Sequence, residues 1–284
     1  MQAVFLKDRS LLFVSGAEAQ SFLQNLITTD IAALGADEAR PGALLTPQGK
    51  ILFDFMIWQD GDGYMIETDA GQRDGLLKRL TMYKLRAAVT LAPSTEEGVT
   101  VSWGEDAEGA RGSQGARDSR FAKAGVTLTR RAGRQGDGAE ALYDVLRIRH
   151  GIVTSGSDFA LQDAFPHDVL MDFNGGLSFR KGCYVGQEVV SRMQHRGTAR
   201  RRVVTVSAAT DLPGTGTEIT AAGKPVGTLG SVHGGNGLAI VRIDRAGAAM
   251  AAGTPLLAGD TPVSLVLPAW SGLVFPASAD EASA

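Results

Sequence analysis

The segment Lys181-Gly182-Cys183-Tyr184-Val185-Gly186-Gln187-Glu188 concentrates more reactive chemistry than any other stretch of the chain. It contains the only cysteine of 284 residues, set between two glycines and just after a lysine. Downstream, Val189, Val190 and Met193 have helical spacing, so a helix is expected close behind the cysteine. Its N–H groups, together with Lys181, would favour a thiolate, which is the setting of a reactive thiol. A lone cysteine is otherwise a small buried hydrophobe. Residue chemistry alone leaves both readings open.

Three further groups have the right types for binding. Asp54 stands in the apolar run Ile51–Trp58, where a carboxylate is costly to bury unless something hydrogen-bonds it. It is either a ligand-binding acid or a residue that reaches water at an edge. Arg192, His195, Arg196, Arg200, Arg201 and Arg202 follow one another without an acidic residue, a local positive patch on a chain of net charge −3. Such a patch suits carboxylates or phosphates, or is simply a solvated entry to a strand. Thr28-Thr29-Asp30 reads as a polar stop to the first helix. No histidine pair or CxxC has metal-ligand spacing, so no metal site is expected. One thiolate cannot hold a resident iron–sulfur cluster. Trp103 and Trp270 read as packing residues.

The elements that must position these groups follow from periodicity and turn residues. Strands are expected at Ala3–Leu6, Leu11–Val14, Ile51–Trp58, Tyr64–Glu67 and Ala87–Leu91. Ser15-Gly16-Ala17-Glu18 has the form of a capping box and opens a helix over about Gly16–Ile27. Leu76, Leu77, Leu80 and Tyr83 mark a second helix; Leu142, Val145 and Leu146 mark a third, stopped at Gly151. Gly104–Arg120 and Arg130–Gly138 read as charged, glycine-rich surface loops. Past Arg202 only short β segments are expected, with no helix of length, as in a small barrel or sandwich. The expected domains are 1–200, 201–275 and a frayed tail, 276–284.

Composition narrows the classes. Hydrophobic residues at 44% and charged residues at 21% are ordinary globular usage, which excludes a wholly disordered chain. No apolar run is long enough to span a membrane, and no secretory signal is visible. A single cysteine points to a reducing compartment, and a cytoplasmic location is expected. The negative net charge argues against strong nucleic-acid binding.

The motif Lys181–Glu188 resembles the signature of the YgfZ family of folate-binding proteins, relatives of the aminomethyltransferase (T-protein) of the glycine cleavage system. The likeness continues through Val189–Thr198, in the form seen in the alphaproteobacterial and mitochondrial branch. It is also carried by Phe22–Asp30, Leu44–Leu52, Arg149–Ile152, Phe179–Lys181 and Gly237–Arg242, and so spans nearly the whole chain. The resemblance implies an α+β fold of the T-protein type: a ring of α/β domains plus a C-terminal β-barrel. It implies binding of tetrahydrofolate or a one-carbon derivative, and a role with iron–sulfur client or assembly proteins, with effects on tRNA modification. It makes Cys183 the key residue, with Lys181 beside it. Asp54, Tyr184, Gln187, Glu188, Arg192 and Arg196 are the residues expected to bind the cofactor. True aminomethyltransferases lack the cysteine and carry an acidic pair where this chain reads Gly49-Lys50-Ile51-Leu52-Phe53-Asp54. An aminomethyltransferase or demethylase is therefore the alternative, and an RNA-interacting factor the third reading.

Overall fold

The computed structural model describes residues 1–104 and 115–276. Two compact units alternate along the chain. The first takes Met1–Pro47, Leu52–Tyr143 and Asn174–Gln187; the second takes Gln48–Ile51, Asp144–Phe173 and the chain from Glu188 onward.

The first unit is built on a nine-stranded sheet. In chain order its elements are β1 (Gln2–Leu6), β2 (Arg9–Ser15), α1 (Ala19–Gln24), β3 (Glu38–Leu45), β4 (Ile51–Asp60), β5 (Gly63–Asp69), α2 (Ala70–Lys84), β6 (Thr90–Pro93), β7 (Val99–Trp103), β8 (Ala116–Asp118), α3 (Ser119–Lys123) and β9 (Leu128–Ala132). The strand order is β1-β7-β9-β8-β3-β4-β5-β2-β6. β3 and β8 run parallel; β2 and β5, and β4 and β5, are antiparallel. The Asp60–Gly63 turn closes the β4–β5 hairpin as expected from its glycines.

Helix α2 begins where the Asp69 side chain accepts the Gly71 N–H at 2.8 Å, an N-cap interaction typically worth about 1 kcal/mol. It buries Leu76 and Leu80 against a core that includes Leu12, Val14, Leu23, Ile57 and Ile66. Helix α1 is shorter than its periodicity implies. The capping box does not form, because the Glu18 carboxylate accepts the Ala88 N–H at 2.6 Å instead.

The Arg130–Gly138 segment is not a loop throughout: its start lies in β9, and Arg130 is only 2% exposed. Its guanidinium donates to both Glu67 oxygens, at 2.7 and 2.6 Å, and to Asp118 at 2.9 Å. Arg9 reaches Glu67 and Arg120 reaches Asp118. A charged segment can be a central strand when every buried charge is paired. Similarly, the expected loop Gly104–Arg120 ends in β8 and the start of α3; its residues 105–114, like residues 277–284 of the expected tail, lie outside the described residues.

The second unit contains most of α4 (Glu140–His150) and of α5 (Gln187–His195), followed by β10 (Arg201–Ser207), β11 (Glu218–Ala221), β12 (Lys224–His233), β13 (Asn236–Arg242), α6 (Ile243–Ala251), β14 (Leu256–Ala258) and β15 (Thr261–Val266). The six strands close into a barrel in the order β10-β13-β12-β11-β14-β15. Inward residues such as Val204, Val206, Ile219, Leu229, Val241 and Leu265 fill it. Helix α6 corrects the expectation of no helix past Arg202. Its residues are mostly small, and Ile243, Ala246 and Gly247 are buried. In α4 the buried residues are Tyr143, Arg147 and Ile148, while Leu142 is exposed. Arg147 is buried because Asp158 and Ser231 take its guanidinium, at 2.7 and 2.6 Å. Among the described residues no helix is long and apolar enough to cross a membrane.

Candidate functional site

The loop carrying Cys183 is anchored on both sides of the cysteine. Lys181 is 7% exposed. Its ammonium donates to the carbonyl oxygens of Ile27 at 2.7 Å and Thr29 at 2.8 Å. Burial pulls its pKa down to about 8, against the opposing pull of the Asp30 carboxylate. The Tyr184 phenol donates to the Ser178 carbonyl at 3.0 Å, and burial pushes its pKa up. The Lys181 ammonium lies 5.2 Å from the Tyr184 ring centroid, within cation–π range. The Tyr184 N–H donates to the Gln187 side-chain oxygen at 3.3 Å. Cys183 itself is exposed.

Gly182 and Gly186 both have φ of +79°, a conformation that L side chains rarely adopt. A Cβ on Gly182 would meet nothing within 4 Å, so backbone conformation, not space, requires glycine there. The expected helix behind the cysteine is α5, which begins at Gln187. The exposure of Cys183 excludes the buried-hydrophobe reading. The anchoring of Lys181 gives that residue a positioning role in place of a free cation beside the thiol.

Thr28 and Thr29 are fully buried, not a simple polar stop. Thr28 Oγ1 accepts the Ala43 N–H at 2.9 Å, and Thr29 Oγ1 donates to the Pro41 carbonyl at 2.7 Å. The Ser178 N–H donates to the Thr28 carbonyl at 3.0 Å. This segment therefore joins β3 to the motif loop. A Cβ on Gly42 would lie 2.4 Å from Thr29 Oγ1 and 2.6 Å from the Phe55 ring. The sequence signal for this bracket was two threonines between apolar Ile27 and Ile31.

Asp54 lies on β4 just beyond the end of the β4–β5 ladder, which stops at the Met56–Glu67 pair. Side chains continue the pairing there. The Asp54 N–H donates to Gln72 Oε1 at 3.3 Å, and Thr68 Oγ1 donates to the Asp54 carbonyl at 2.9 Å. Gln72 Nε2 donates to Asp54 Oδ1 at 3.0 Å. Asp54 is half-buried, and its second carboxylate oxygen makes no hydrogen bond to the described residues. The carboxylate shares no hydrogen bond with the motif loop.

In the second unit Glu188 lies in the first turn of α5 and pairs with Arg192 at 2.8 Å; both are exposed. Arg196 is exposed one turn on. The basic run does not form one surface. Arg201 contacts Asp163 at 3.1 Å. Arg202 is buried, donating to the His167 carbonyl at 2.6 Å and to Asp172 at 2.9 Å. Burial outweighs the Arg202 charge and pushes Asp172 up to about 6. Burial, reinforced by the Arg202 charge, lowers His167 to about 4. Sequence reasoning missed this cluster because its acids precede the basic run by many residues. Lys50 donates to the Asp163 carbonyl and sits 3.8 Å over the Phe165 ring. Among the described residues no cluster of His, Cys, Asp and Glu side chains could hold a metal ion.

Sheet, barrel and motif loop define a protein of the aminomethyltransferase fold. A solved structure bears this out: the glycine cleavage system aminomethyltransferase T from Bartonella henselae superposes with a TM-score of 0.72 over 94% of this chain and 85% of its own, at 17% identity. Residues 200–273 match the family described as CAF17, C-terminal beta-barrel domain. The human iron-sulfur cluster assembly factor IBA57, mitochondrial, is 32% identical over 274 residues, covering 83% of this chain and 76% of the human protein. The mouse protein of that name is 30% identical over 277 residues, covering 84% and 76%. The Chaetomium globosum homologue is 32% identical over 237 residues, covering 70% of this chain and 54% of its own. The chain spans about half the length of this relative and of two further fungal relatives, those of Pyricularia oryzae and Phaeosphaeria nodorum. It belongs to the IBA57 family, the YgfZ-like proteins of T-protein fold.

The relatives correct the expected location. They are named mitochondrial, which overturns the cytoplasmic expectation. The cysteine count does not distinguish one reducing compartment from another.

Proposed function

We propose that this chain is a tetrahydrofolate-binding accessory factor for the assembly or repair of iron–sulfur proteins, with Cys183 as the residue that meets the client or the cluster. The observation that carries this reading is an exposed thiol on a loop whose flanking side chains, Lys181 and Tyr184, are fixed inside the first unit. One cysteine supplies one ligand where a cluster normally takes about four, so the remaining ligands come from another protein. The cluster is cargo here, passed or repaired.

The residues at Asp54 fit one end of a reduced folate. The pterin edge presents N–H donors, and a carboxylate oxygen accepts a charge-assisted hydrogen bond from one of them. Gln72 fixes one Asp54 oxygen and leaves the other for the ligand. When bound, the folate supplies a carrier for one-carbon groups. In the same proposal any influence on tRNA modification is indirect, through iron–sulfur enzymes that modify tRNA, since Arg201 and Arg202 are engaged internally.

The test has two arms. Calorimetric titration of the purified chain with tetrahydrofolate is expected to give a micromolar Kd, about −8 kcal/mol. Iron–sulfur enzyme activities in a strain lacking the protein are expected to recover with the wild-type chain. Absence of binding removes the folate part; unchanged enzyme activities in the deletion strain remove the rest.

A further inference from the structure

Leu85 is 88% exposed and Met82, near the end of α2, is 60% exposed. Leu85 has φ of 47° and ψ of −106°, and the Ala87 N–H donates to the Lys84 carbonyl at 2.8 Å. A four-residue turn closed by that bond, with those angles at its second residue, is of type II′, where glycine ordinarily stands. Leucine is strained in this position, and its side chain packs on nothing that would offset the strain. Lys78 and Met82 share the exposed stripe of α2 at i, i+4 spacing, and Leu85 continues it one position past the helix. Lys78, Arg79, Lys84 and Arg86 make no side-chain hydrogen bond or ion pair to the described residues. No acidic residue occurs between Asp74 and Glu96. The two carboxylates adjoining the region are already engaged: Asp74 by Arg73, and Glu18 by the Ala88 N–H.

We propose that the turn between α2 and β6 is an interaction surface for a partner protein with an acidic rim around an apolar depression. Leu85 and Met82 enter the depression as anchors, and Lys84 and Arg86 meet the carboxylates. Interfaces concentrate their energy in such buried anchors, while the surrounding charges steer the encounter. An anionic lipid surface is a poorer match. One leucine and one methionine bury less apolar surface than a single acyl chain, which alone binds marginally, and the chain has a net charge of −3. The partner class rests on the proposed function above.

The experiment uses the full chain in a strain lacking it, with iron–sulfur enzyme activity as readout. Leu85→Gly, Leu85→Met and the charge reversal Lys84→Glu with Arg86→Glu are compared with wild type and with Cys183→Ala. Each purified variant is checked for Tm and for tetrahydrofolate binding. Leu85→Gly is expected to raise Tm and leave folate binding unchanged, yet lower the recovered activity by about tenfold, a loss typical of a truncated anchor. The charge reversal should lower the recovered activity similarly while leaving folate binding unchanged, and Leu85→Met should retain most activity. Full recovery by Leu85→Gly overturns the proposal. So does Leu85-dependent binding to vesicles of phosphatidylcholine and phosphatidylserine, which assigns the surface to lipid. Leu85-dependent dimerisation also overturns it, assigning the surface to a second copy. Recovery by Cys183→Ala would count against the proposed function, separately from the Leu85 result.

Discussion

The ammonium of Lys181 lies 2.8 Å from the carbonyl oxygen of Thr29, 152 residues earlier in the chain. That contact, with its twin at Ile27, ties the cysteine motif to the segment after α1 and explains why a lysine stands two residues before the thiol. Replacing it with methionine would leave two buried carbonyl oxygens without a donor. Each such group costs about 1–3 kcal/mol. Lys181→Met is therefore expected to lower the unfolding free energy by about 3 kcal/mol in urea titration. It should also loosen the loop, seen as faster proteolysis near Cys183. Unchanged stability would mean that the anchor is not made in solution.

Glu67 and Arg130 give the pH dependence. Burial by itself would raise the Glu67 pKa, but the charges of Arg130 and then Arg9 overcome it and bring it to about 2. The unfolded value is about 4.3. The native state thus holds the proton less tightly, so its stabilisation is fully present above pH 4.3 and fades as pH falls toward 2. The gap corresponds to about 3 kcal/mol. Glu67→Gln is expected to remove most of this pH dependence and to destabilise the chain by about 3–5 kcal/mol at neutral pH, because it breaks a buried pair. Urea titrations at pH 3, 4, 5 and 7 check both. A wild-type curve flat between pH 5 and 3 contradicts the assignment.

Asp54 can be tested without disturbing the fold. Its carboxylate is half-buried and held by one Gln72 hydrogen bond, so Asp54→Asn should change stability by less than about 1 kcal/mol. If the free oxygen receives the pterin edge, tetrahydrofolate affinity should fall about tenfold or more, a loss of about 1.4 kcal/mol. At a folate concentration 100 times Kd, the wild type should gain about 2.7 kcal/mol of stability. Thermal melts with and without ligand distinguish the two proteins. Equal ligand-induced shifts would move the pterin site elsewhere.

Much of this architecture was legible in the residues. Asp60-Gly61-Asp62-Gly63 announced its hairpin, and Leu76 and Leu80 announced α2, because local turn chemistry and a 3.6-residue period act without tertiary help. The cysteine motif identified the fold family. Arg130 was not legible: a strand is recognised by apolar alternation, and this one is held by ion pairs to Glu67 and Asp118, which lie far away in sequence. Glu18 misled for the same reason. Its spacing from Ser15 fits a capping box, but Ala88 offers a better-placed donor once the fold forms. The basic run from Arg192 to Arg202 looked like one patch until the fold divided it, sending Arg202 inward to Asp172 and leaving Arg196 in solvent. In each case the decisive partner was a long-range one, absent from any local window.

Cys183 is the residue on which the proposed function turns. The side chain is exposed and free, so Cys183→Ala should shift stability by no more than about 0.5 kcal/mol and leave tetrahydrofolate binding intact. The most direct measurement is the activity of iron–sulfur enzymes in a strain lacking this protein, complemented by wild type or by Cys183→Ala expressed at matched levels. The proposed role of Cys183 predicts that the wild type restores those activities and the folded, folate-binding variant does not. Full restoration by Cys183→Ala would contradict it.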